Sequence, residues 1–481
     1  MKEINPIAAQ IANSPSAKLA AKLASSPAAK AAMQMTNNPM VKAATQMANN
    51  PMVKAATRIS RIAQPYAEAL QKFSHIEWVG KIPMNWELAR MKNVGEYING
   101  YAFKPDDWSN YGLPIIRIQD LTGSSENPNY YDGVLDDKYK VLSGDILVSW
   151  AATLDAFTWT KHTGWLNQHI FKAIPNTNKI EKKFFIFLAK EAMQHMNNDN
   201  KHGIVMQHVT LGVFNNFKVP LPPLSEQQAI ADYLDGECAR IDSIVEKQRQ
   251  IIERLKEYKK SVITEAVTRG LNPDAPMKDS GIEWIGKIPE HWEVKKLKYI
   301  CSQRNEKSTE NNLKYIGLEN IISFSNKYID TNIDIEQNST NNICKKNDIL
   351  FGKLRPYLAK CVISDFDGLC SGEFLVLHQC DGSVPYYHYL MLSNWFLDVV
   401  NSSTYGTKMP RANWTFIGGL FIPVPSYQEQ QEIADYLYQK CTEVDSIIEK
   451  RERMIELMTE YKKSLIYECV TGKKEIVDVV E

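Results

Sequence analysis

The chain repeats itself, and this internal duplication constrains its fold more than any other feature. Residues 76–86 read IEWVGKIPMNW, and residues 282–292, which lie 206 positions later, read IEWIGKIPEHW. The block QQAIADYL from Gln227 returns as QQEIADYL from Gln430, at an offset of 203 residues. YKKSVITEAVT from Tyr258 returns 203 residues later as YKKSLIYECVT. Three matched blocks in the same order predict two tandem halves with one common architecture.

The two halves agree at their edges and differ in their middles. Residues 90–220 and 296–424, here called the inserts, have little similarity to each other, yet both end in a similar run, FKVPLPPLSEQQ or LFIPVPSYQEQQ. A shared frame around two unlike inserts predicts one scaffold that carries two different specificities. We place the domains at 1–60 (N-terminal extension), 61–224 (first domain), 225–270 (first long helix), 271–425 (second domain), 426–472 (second long helix) and 473–481 (C-terminal tail).

A long helix is predicted after each insert. Each begins with a capping box, formed by Ser225 with Gln228 and by Ser426 with Glu429. Neither run contains a proline, so each can continue as one helix of ~45 residues. A helix of this length is typical of a coiled coil.

A seven-residue pattern predicts that the two long helices pack on each other, and the domain between them makes antiparallel packing natural. Gln248 and Arg451 are polar at the same seam position, where one polar residue fixes the register at some cost in stability. Two unrelated surface helices are the alternative. The predicted first seam position holds Leu234, Ile241, Gln248, Leu255 and Val262 in one helix and Leu437, Val444, Arg451, Met458 and Leu465 in the other. The predicted second seam position holds Ile244, Ile251 and Tyr258, and Ile447, Met454 and Tyr461.

Both inserts have the pattern of mixed α/β domains. Runs of β-branched and apolar residues between turn residues predict strands, and helical stretches follow them. The predicted fold class is therefore α/β (mixed α+β): two such domains in tandem, joined by two long antiparallel coiled-coil helices, with a pseudo-twofold internal duplication. The strands are expected at 113–118, 144–149, 348–351 and 372–377, and the helices around 181–197 and 385–400.

Polar segments in matching places of the two inserts are the candidate binding sites. Lys and Arg on loops suit phosphate contacts, whereas Arg, Asn and Gln can pair with the edges of bases. Each segment alone is typical of a solvated surface, and only its place in a duplicated frame favours a binding role. The candidate DNA-binding residues are Asn167, Gln168, His169, Lys172, Lys201, His202, Gln207 and His208 in the first insert, and Lys353, Arg355, Tyr357, Lys360, Lys408, Arg411 and Asn413 in the second.

The composition limits the other classes of function. The 56 basic and 56 acidic residues give a net charge of zero, which is unusual for a nucleic-acid binder, so DNA contacts must come from local patches or be shared with a partner. No apolar run approaches the ~18 to 20 residues of a membrane span, and no signal-peptide core is present. The eight cysteines form no C-x-x-C pair, which favours reduced thiols over a disulfide framework or a zinc site.

No catalytic motif is recognisable. The sequence has no G-x-G-x-x-G, Walker P-loop or H-E-x-x-H, and no Asn-Pro-Pro-aromatic tetrapeptide of the adenine methyltransferases. Asp279 with Glu293 and Lys295 would suit a Mg²⁺-dependent nuclease, but the first half has no lysine in this place. The histidines among the candidate residues are accompanied by no nucleophile or acidic partner. We therefore expect a chain that binds and does not catalyse.

Taken together, these motifs resemble the specificity (S) subunits of type I restriction-modification systems. The resemblance covers about residues 75–472. It is carried by W-x-G-x-I-P-x-x-W at Trp78 and Trp284, by the run from Val219 to Gln228, by the run DILFGKLRPY from Asp348, and by KMPR at 408–411.

The resemblance implies that each insert is a target-recognition domain that reads one half of a bipartite, asymmetric site in double-stranded DNA. The paired helices would set the spacing between the half-sites and dock two modification (methyltransferase) subunits, and restriction (translocase-nuclease) subunits would join them. S-adenosylmethionine, ATP and Mg would be bound by those partners, so no catalytic residue, metal or cofactor is expected in this chain. A cytoplasmic location without membrane contact is expected. The alternatives are a coiled-coil scaffold, a silent specificity copy without active DNA recognition, or a stand-alone nuclease or methyltransferase.

Residues 1–60 fall outside the resemblance. A 12-residue unit recurs from Asn13, Ser25, Asn37 and Asn49, with Pro at the first helical position and Lys at a fixed place. Since Pro does not fit inside a helix, we expect short capped helical turns that are broken at each repeat. The segment is a basic arm that touches DNA or a partner, a low-complexity extension, or an organellar targeting peptide.

Overall fold

The computed structural model describes residues 71–124, 127–199, 209–310, 313–329, 340–406 and 409–476, with the backbone alone at 197–199. The helical turns expected in residues 1–60 lie outside these ranges. The described residues divide into two compact units: the second lies within Glu237–Lys463, and the first combines the described residues up to Gly236 with those that follow from Ser464. Both divisions fall inside a long helix, whereas the predicted domain boundaries lie at the ends of the helices.

Short strands and helices follow one another through the first unit. Its strands are β1 (Gln71–Phe73), β2 (Lys81–Pro83), β3 (Glu87–Arg90), β4 (Gly95–Asn99), β5 (Leu113–Ile116), β6 (Tyr130–Tyr131), β7 (Lys140–Val141), β8 (Ile146–Ser149), β9 (Asp155–Thr158), β10 (Gly164–Leu166), β11 (Ile170–Pro175) and β12 (Lys218–Leu221). Its helices are α1 (Met91–Val94), α2 (Ile118–Thr122), α3 (Lys182–Asp199), α4 (Leu211–Asn216) and the start of α5 (Leu224–Arg269).

Two four-stranded sheets form most of the first unit. One has the order β4–β11–β8–β9 and is antiparallel, and the other has the order β6–β5–β10–β7 with β5 and β10 parallel. Helix α3 packs against β9 and buries Phe184, Leu188 and Ala192, which lie four residues apart on one face. Strands β3 and β12 pair Arg90 with Lys218 and so join the two ends of the insert just before α5 begins.

The second unit contains the corresponding elements. Its strands are β13 (Met277–Asp279), β14 (Lys287–Pro289), β15 (Glu293–Lys296), β16 (Ser302–Arg304), β17 (Lys307–Ser308), β18 (Tyr315–Ile316), β19 (Asn341–Cys344), β20 (Ile349–Gly352), β21 (Cys361–Ile363), β22 (Gly368–Cys370), β23 (Phe374–His378) and β24 (Phe421–Val424). Its helices are the remainder of α5, α6 (Val384–Met391), α7 (Asn394–Ser402), α8 (Trp414–Gly419) and α9 (Tyr427–Val470), whose last turns belong to the first unit.

The topology of the second unit repeats that of the first. The sheet β16–β23–β20–β21 corresponds to β4–β11–β8–β9, and β18 runs parallel to β22 as β5 does to β10. Strands β8 and β20 are buried along their whole length, because each is an inner strand of its sheet. The two inserts thus share a fold despite their different sequences. The predicted fold class, two mixed domains in tandem with two long helices, is confirmed.

The two long helices, of 46 and 44 residues, run antiparallel within the second unit. Gln248 and Arg451 face each other, and Arg451 Nη1 donates a hydrogen bond of 2.5 Å to Gln248 Oε1. These residues are equivalent in the duplication, so their contact occurs once, whereas the contacts on either side of it occur in pairs. Of the predicted first-seam residues, Leu234, Ile241, Leu437, Val444 and Leu465 are buried, and Gln248, Leu255, Val262, Arg451 and Met458 are half-buried.

The second seam position lies one residue further along each helix than the pattern predicts. Tyr258, for example, is 51% exposed. The lysines next to the two predicted tyrosines turn inward: Lys259 Nζ lies 2.7 Å from Asp445 Oδ1, and Lys462 Nζ lies 2.7 Å from Asp242 Oδ2. The prediction is wrong here because a search for apolar residues at seven-residue spacing selects Tyr and passes over Lys. The sequence of one helix alone does not indicate an ion pair with the other helix.

The expectation that all cysteines are reduced thiols is wrong for one pair. Cys301 and Cys380, 79 residues apart in sequence, form a disulfide in the second unit. The register of β16 and β23, which pairs Ser302 with His378, brings the two cysteines together. This register cannot be read from cysteine spacing, and the other cysteines are buried.

Candidate nucleic-acid interface

Three separate stretches of chain meet at the end of strand β20 in the second domain. Lys353 follows this strand; its N–H donates to Glu373 O over 2.9 Å, and its carbonyl accepts a bond of 2.9 Å from Ala412 N. Arg355 N donates to Pro410 O over 2.8 Å. These main-chain bonds bring together two predicted segments that lie far apart in sequence.

We call residues 353–360 and 409–413, with Tyr405 beside them, the second-domain loop surface. Its first stretch is a closed loop, because Gly352 N donates to Lys360 O over 2.8 Å. A Cβ at Gly352 would lie 2.9 Å from a leucine side chain and 3.1 Å from Lys360 O, so a glycine suits this close approach. The loop therefore leaves the sheet and returns to it within a few residues.

Several large residues of the second-domain loop surface are exposed. Arg355 is exposed, and its φ of 51° lies in the left-handed region, which a non-glycine residue occupies only where its surroundings hold it. Tyr357 is 50% exposed, Tyr405 61% and Met409 52%. An exposed arginine flanked by exposed aromatic and apolar residues is suited to contact with base edges and sugars.

Other predicted residues hold this surface in place. Arg411 makes a two-pronged pair with Glu373, with N–O distances of 3.0 and 2.9 Å, and this hydrogen bonding raises the pKa of the arginine. Lys360 Nζ donates to a main-chain carbonyl over 2.6 Å. Asn413 caps α8 by accepting a bond of 2.9 Å from a backbone N–H. In this conformation these three polar groups face protein partners, and Lys408 lies outside the described residues.

A buried ion pair fixes the beginning of β20, on which the loop depends. Arg304 on β16 bonds both carboxylate oxygens of Asp348, at 2.9 and 3.2 Å, and both side chains are less than 10% exposed. Asp348 Oδ2 also accepts a bond of 2.9 Å from Lys345 N. The carboxylate raises the pKa of Arg304. The sequence pattern does not indicate this pair, because its members are 44 residues apart.

The first domain has the same main-chain arrangement with different side chains. Trp150 follows β8; its N–H donates to His169 O over 3.2 Å, and its carbonyl accepts a bond of 3.1 Å from Val209 N. Trp150, His169 and Val209 thus stand where Lys353, Glu373 and Ala412 stand in the second domain. Residues 150–154 and 167–169, with Val209, form the first-domain loop surface.

The predicted residues of the first insert fall into three groups. The first group, residues 167–169, is a turn that Asn167 orders. Asn167 is 8% exposed; its Oδ1 accepts a bond of 3.3 Å from His169 N, and its Nδ2 donates to Gln168 Oε1 over 3.0 Å. Gln168 and His169 are half-buried. The second group is Lys172 alone, which points inward: its Nζ donates to Lys140 O over 2.7 Å, and its side chain is 13% exposed. The third group, Lys201, His202, Gln207 and His208, lies outside the described residues.

Trp150 is the residue that the sequence patterns missed. It is half-buried, its Nε1 donates to Gln168 O over 3.0 Å, and its ring stacks on that of Phe171 with centroids 6.1 Å apart. A signal for it does exist, because the 203-residue offset of the flanking blocks connects Trp150 to Lys353. Applying the same offset within the two inserts would have identified Trp150 and Lys353 together.

The described part of the chain contains no group of three or more His, Cys, Asp or Glu side chains that could hold a metal ion. Of the residues considered for a nuclease, Glu293 pairs with Lys295 at 2.6 Å on an exposed strand. Within the same ranges, every helix is too short or too polar to span a bilayer.

Known proteins are similar in sequence to this chain along most of their length. The chain is 24% identical over 418 residues to the type I restriction enzyme MjaVIII specificity subunit of Methanocaldococcus jannaschii, an alignment that covers 82% of this chain and 94% of that protein. It is 25% identical over 425 residues to the EcoBI specificity subunit of Escherichia coli, which covers 81% and 86% respectively.

Among solved structures, a chain from the assembly of a type I R-M system superposes with a TM-score of 0.59 at 15% identity, covering 82% of this chain and 99% of that one; this likeness concerns the fold alone. The family model described as the type I restriction modification DNA specificity domain matches residues 83–257 and again residues 289–457. These two matches span well over half of the sequence and coincide with its two halves. The chain therefore belongs to the family of type I restriction-modification specificity subunits and carries two of its DNA specificity domains in tandem.

Proposed function

We propose that the chain reads a bipartite, asymmetric sequence in double-stranded DNA, with one half-site read by each loop surface. One observation carries the proposal: the two domains hold their loops with the same main-chain hydrogen bonds but present different side chains. The first offers Trp150 and His169 where the second offers Lys353 and Glu373. A common frame with exchanged side chains is what two different half-sites require.

The second-domain loop surface supports the more specific part of the proposal. Arg355 is its exposed arginine, and arginine is the side chain that most often pairs with a guanine edge. Tyr357 and Tyr405 would pack against sugars or bases beside it. Arg411 and Lys360 would act through their protein partners, by holding the loop.

The other predicted partners belong to the same proposal. As a specificity subunit the chain is not itself an enzyme, and catalysis lies in partner subunits. We propose that it docks two modification (methyltransferase) subunits and the restriction (translocase-nuclease) subunits, and that S-adenosylmethionine, ATP and Mg bind to these. The antiparallel helices would set the distance between half-sites. A cytoplasmic location fits this role.

Mapping of methylated adenine across a genome tests the proposal directly. The modification subunit is expressed with and without this chain, and we expect a bipartite motif that appears only when the chain is present. Exchanging residues 90–220 for the insert of a relative should change one half of that motif and leave the other unchanged. A change in both halves would contradict the modular reading.

A negative result is informative if complex formation is measured in parallel. If the chain and the modification subunit co-purify and no adenine becomes methylated, the chain is a silent specificity copy or a coiled-coil scaffold. The control is the wild-type chain of the relative that supplied the insert, which must yield its own motif in the same host.

A further inference from the structure

We propose that Phe324 is a positioning residue that ties the second-domain loop surface to helix α5. This inference rests on the proposed function, because its consequence is a change in DNA reading. Phe324 lies in residues 318–329, here called the strap, which the sequence patterns did not single out. Side chains that read bases must be held within a fraction of an ångström, so whatever fixes their loop affects specificity.

The strap is folded on itself and fastened to the sheet. Its two ends are joined by a pair of bonds: Ile329 N donates to Asn320 O over 2.8 Å, and Asn320 Nδ2 donates to Ile329 O over 3.0 Å. Asn326 Oδ1 accepts a bond of 2.7 Å from Ile363 N, on strand β21. The strap is therefore a braced segment that can transmit a displacement to the sheet beside it.

The strap is also bonded to the loop that carries Arg355. Phe324 N donates to Ala359 O over 3.1 Å, and Lys360 Nζ donates to Leu318 O over 2.6 Å. Both bonds reach the last turn of the loop. The other end of the loop is held by the hydrogen bond that Arg355 N donates to Pro410 O. Moving the strap would therefore move the loop.

On its other side the strap meets the long helices. Lys260 Nζ, on α5, lies 4.8 Å from the centroid of the Phe324 ring, within the range of a cation–π contact. A cavity of about 470 Å³ adjoins this contact, and it is lined by Phe324 and by Lys259 and Asp445, which form an ion pair between the two helices. The ring is half-buried and packs against the main core cluster of the second unit.

The backbone at Phe324 supports a positioning role. Its φ of 53° is a left-handed conformation that is unfavourable for a bulky residue and persists only where the surroundings hold it. In the first domain Arg117 N donates to Asp120 Oδ2 as Gly317 N donates to Asn320 Oδ1, and this local offset of 200 residues leads from Phe324 to Ser124, which has no ring. The strap with its aromatic anchor is thus a feature of the second domain, and its loss should affect one half-site.

The test uses Phe324→Leu, which keeps apolar bulk and removes the ring. In the free full-length chain, hydrogen exchange of the Arg355, Leu358 and Ala359 amides should become about tenfold faster, because their loop is less firmly held. In the complex with the modification subunit, methylation of duplexes with single base changes is then measured. We expect discrimination to fall about 5- to 10-fold at one half-site, a part of what one base contact supplies, and to stay unchanged at the other. Arg355→Ala identifies which half-site the second domain reads.

Two variants separate positioning from general destabilisation. Phe324→Tyr keeps a ring for Lys260 and should restore both readouts, whereas Tyr299→Leu removes an exposed aromatic ring that Lys298 covers at 5.3 Å elsewhere in the second unit and should change neither. Unchanged exchange at the three amides in Phe324→Leu overturns the inference, whatever the DNA assay gives. Faster exchange with equal loss at both half-sites overturns it as well. If the wild type itself methylates no bipartite motif, the proposed function fails, and the exchange measurement still decides whether Phe324 holds the loop.

Discussion

Replacing Asp445 by Asn should destabilise the chain far more than the same change at Asp242, although the duplication makes the two positions equivalent. Each carboxylate lies 2.7 Å from the Nζ of a lysine on the facing helix. Burial distinguishes the pairs: the side chains of Lys259 and Asp445 are 8% and 28% exposed, and those of Lys462 and Asp242 are 29% and 62% exposed. The chain thus supplies its own matched control.

The magnitudes follow from the exposure of the lysine that remains. Asp445→Asn leaves the Lys259 ammonium buried without a counter-charge, and breaking a fully buried pair in this way costs about 3 to 5 kcal/mol. Because Asp445 is itself partly exposed, we expect a smaller loss than this, about 2 to 3 kcal/mol. Asp242→Asn opens a solvent-exposed pair, and such pairs contribute about 0 to 1 kcal/mol.

Urea unfolding followed by far-ultraviolet circular dichroism measures both variants, since the long helices dominate that signal. A third chain combines Lys259→Met with Asp445→Leu. Apolar residues of similar volume can replace a buried ion pair with little loss, so it should be close to the wild type in stability. Equal losses in Asp445→Asn and Asp242→Asn would refute the reasoning from burial. So would a double variant as unstable as Asp445→Asn alone.

Two further predictions concern the loop surfaces and one buried histidine. Arg355→Ala should lower the discrimination between bases at one half-site by about 5- to 150-fold, and Trp150→Ala should lower it only at the other half-site. Fluorescence anisotropy with duplexes that are altered in one half-site at a time measures both effects. Losses at both half-sites from either variant would contradict the prediction. Burial lowers the pKa of His388 to about 4, against an ordinary value of about 6.5. Neutral His388 therefore stabilises the fold above about pH 6.5, and up to about 3 kcal/mol is lost as the pH falls towards 4. His388→Gln should flatten this part of the pH profile of urea midpoints, and an unchanged profile would show that other groups cause it.

The architecture could be predicted because it depends on repeated, local patterns. The three matched blocks fix two tandem halves, and the seven-residue spacing that contains Ile241 and Val444 selects the buried face of each long helix. The second seam position could not be predicted in the same way. Lys259 is buried there because of Asp445, a partner 186 residues away that no local pattern connects to it.

The candidate site was predictable as a set of loops but not as a set of exposed side chains. The segments around Lys353 and Asn413 do meet, since both interrupt the apolar patterns at the same end of the domain. Whether a given cation faces solvent depends on distant partners: Arg411 pairs with Glu373, and Lys172 bonds to Lys140 O. The DNA contacts themselves stay predictions.

The contact between Gln248 and Arg451 bears on the history of the duplication. A residue on a twofold axis meets its own copy, so two identical halves would set glutamine against glutamine or arginine against arginine at this point. Two guanidinium groups in contact would repel each other, and the observed combination is accessible only to halves that have diverged. Because the two copies are joined in one chain, each can mutate independently. The position at which each copy would otherwise meet itself therefore became open to selection. Its contact between unlike residues now distinguishes the first helix from the second.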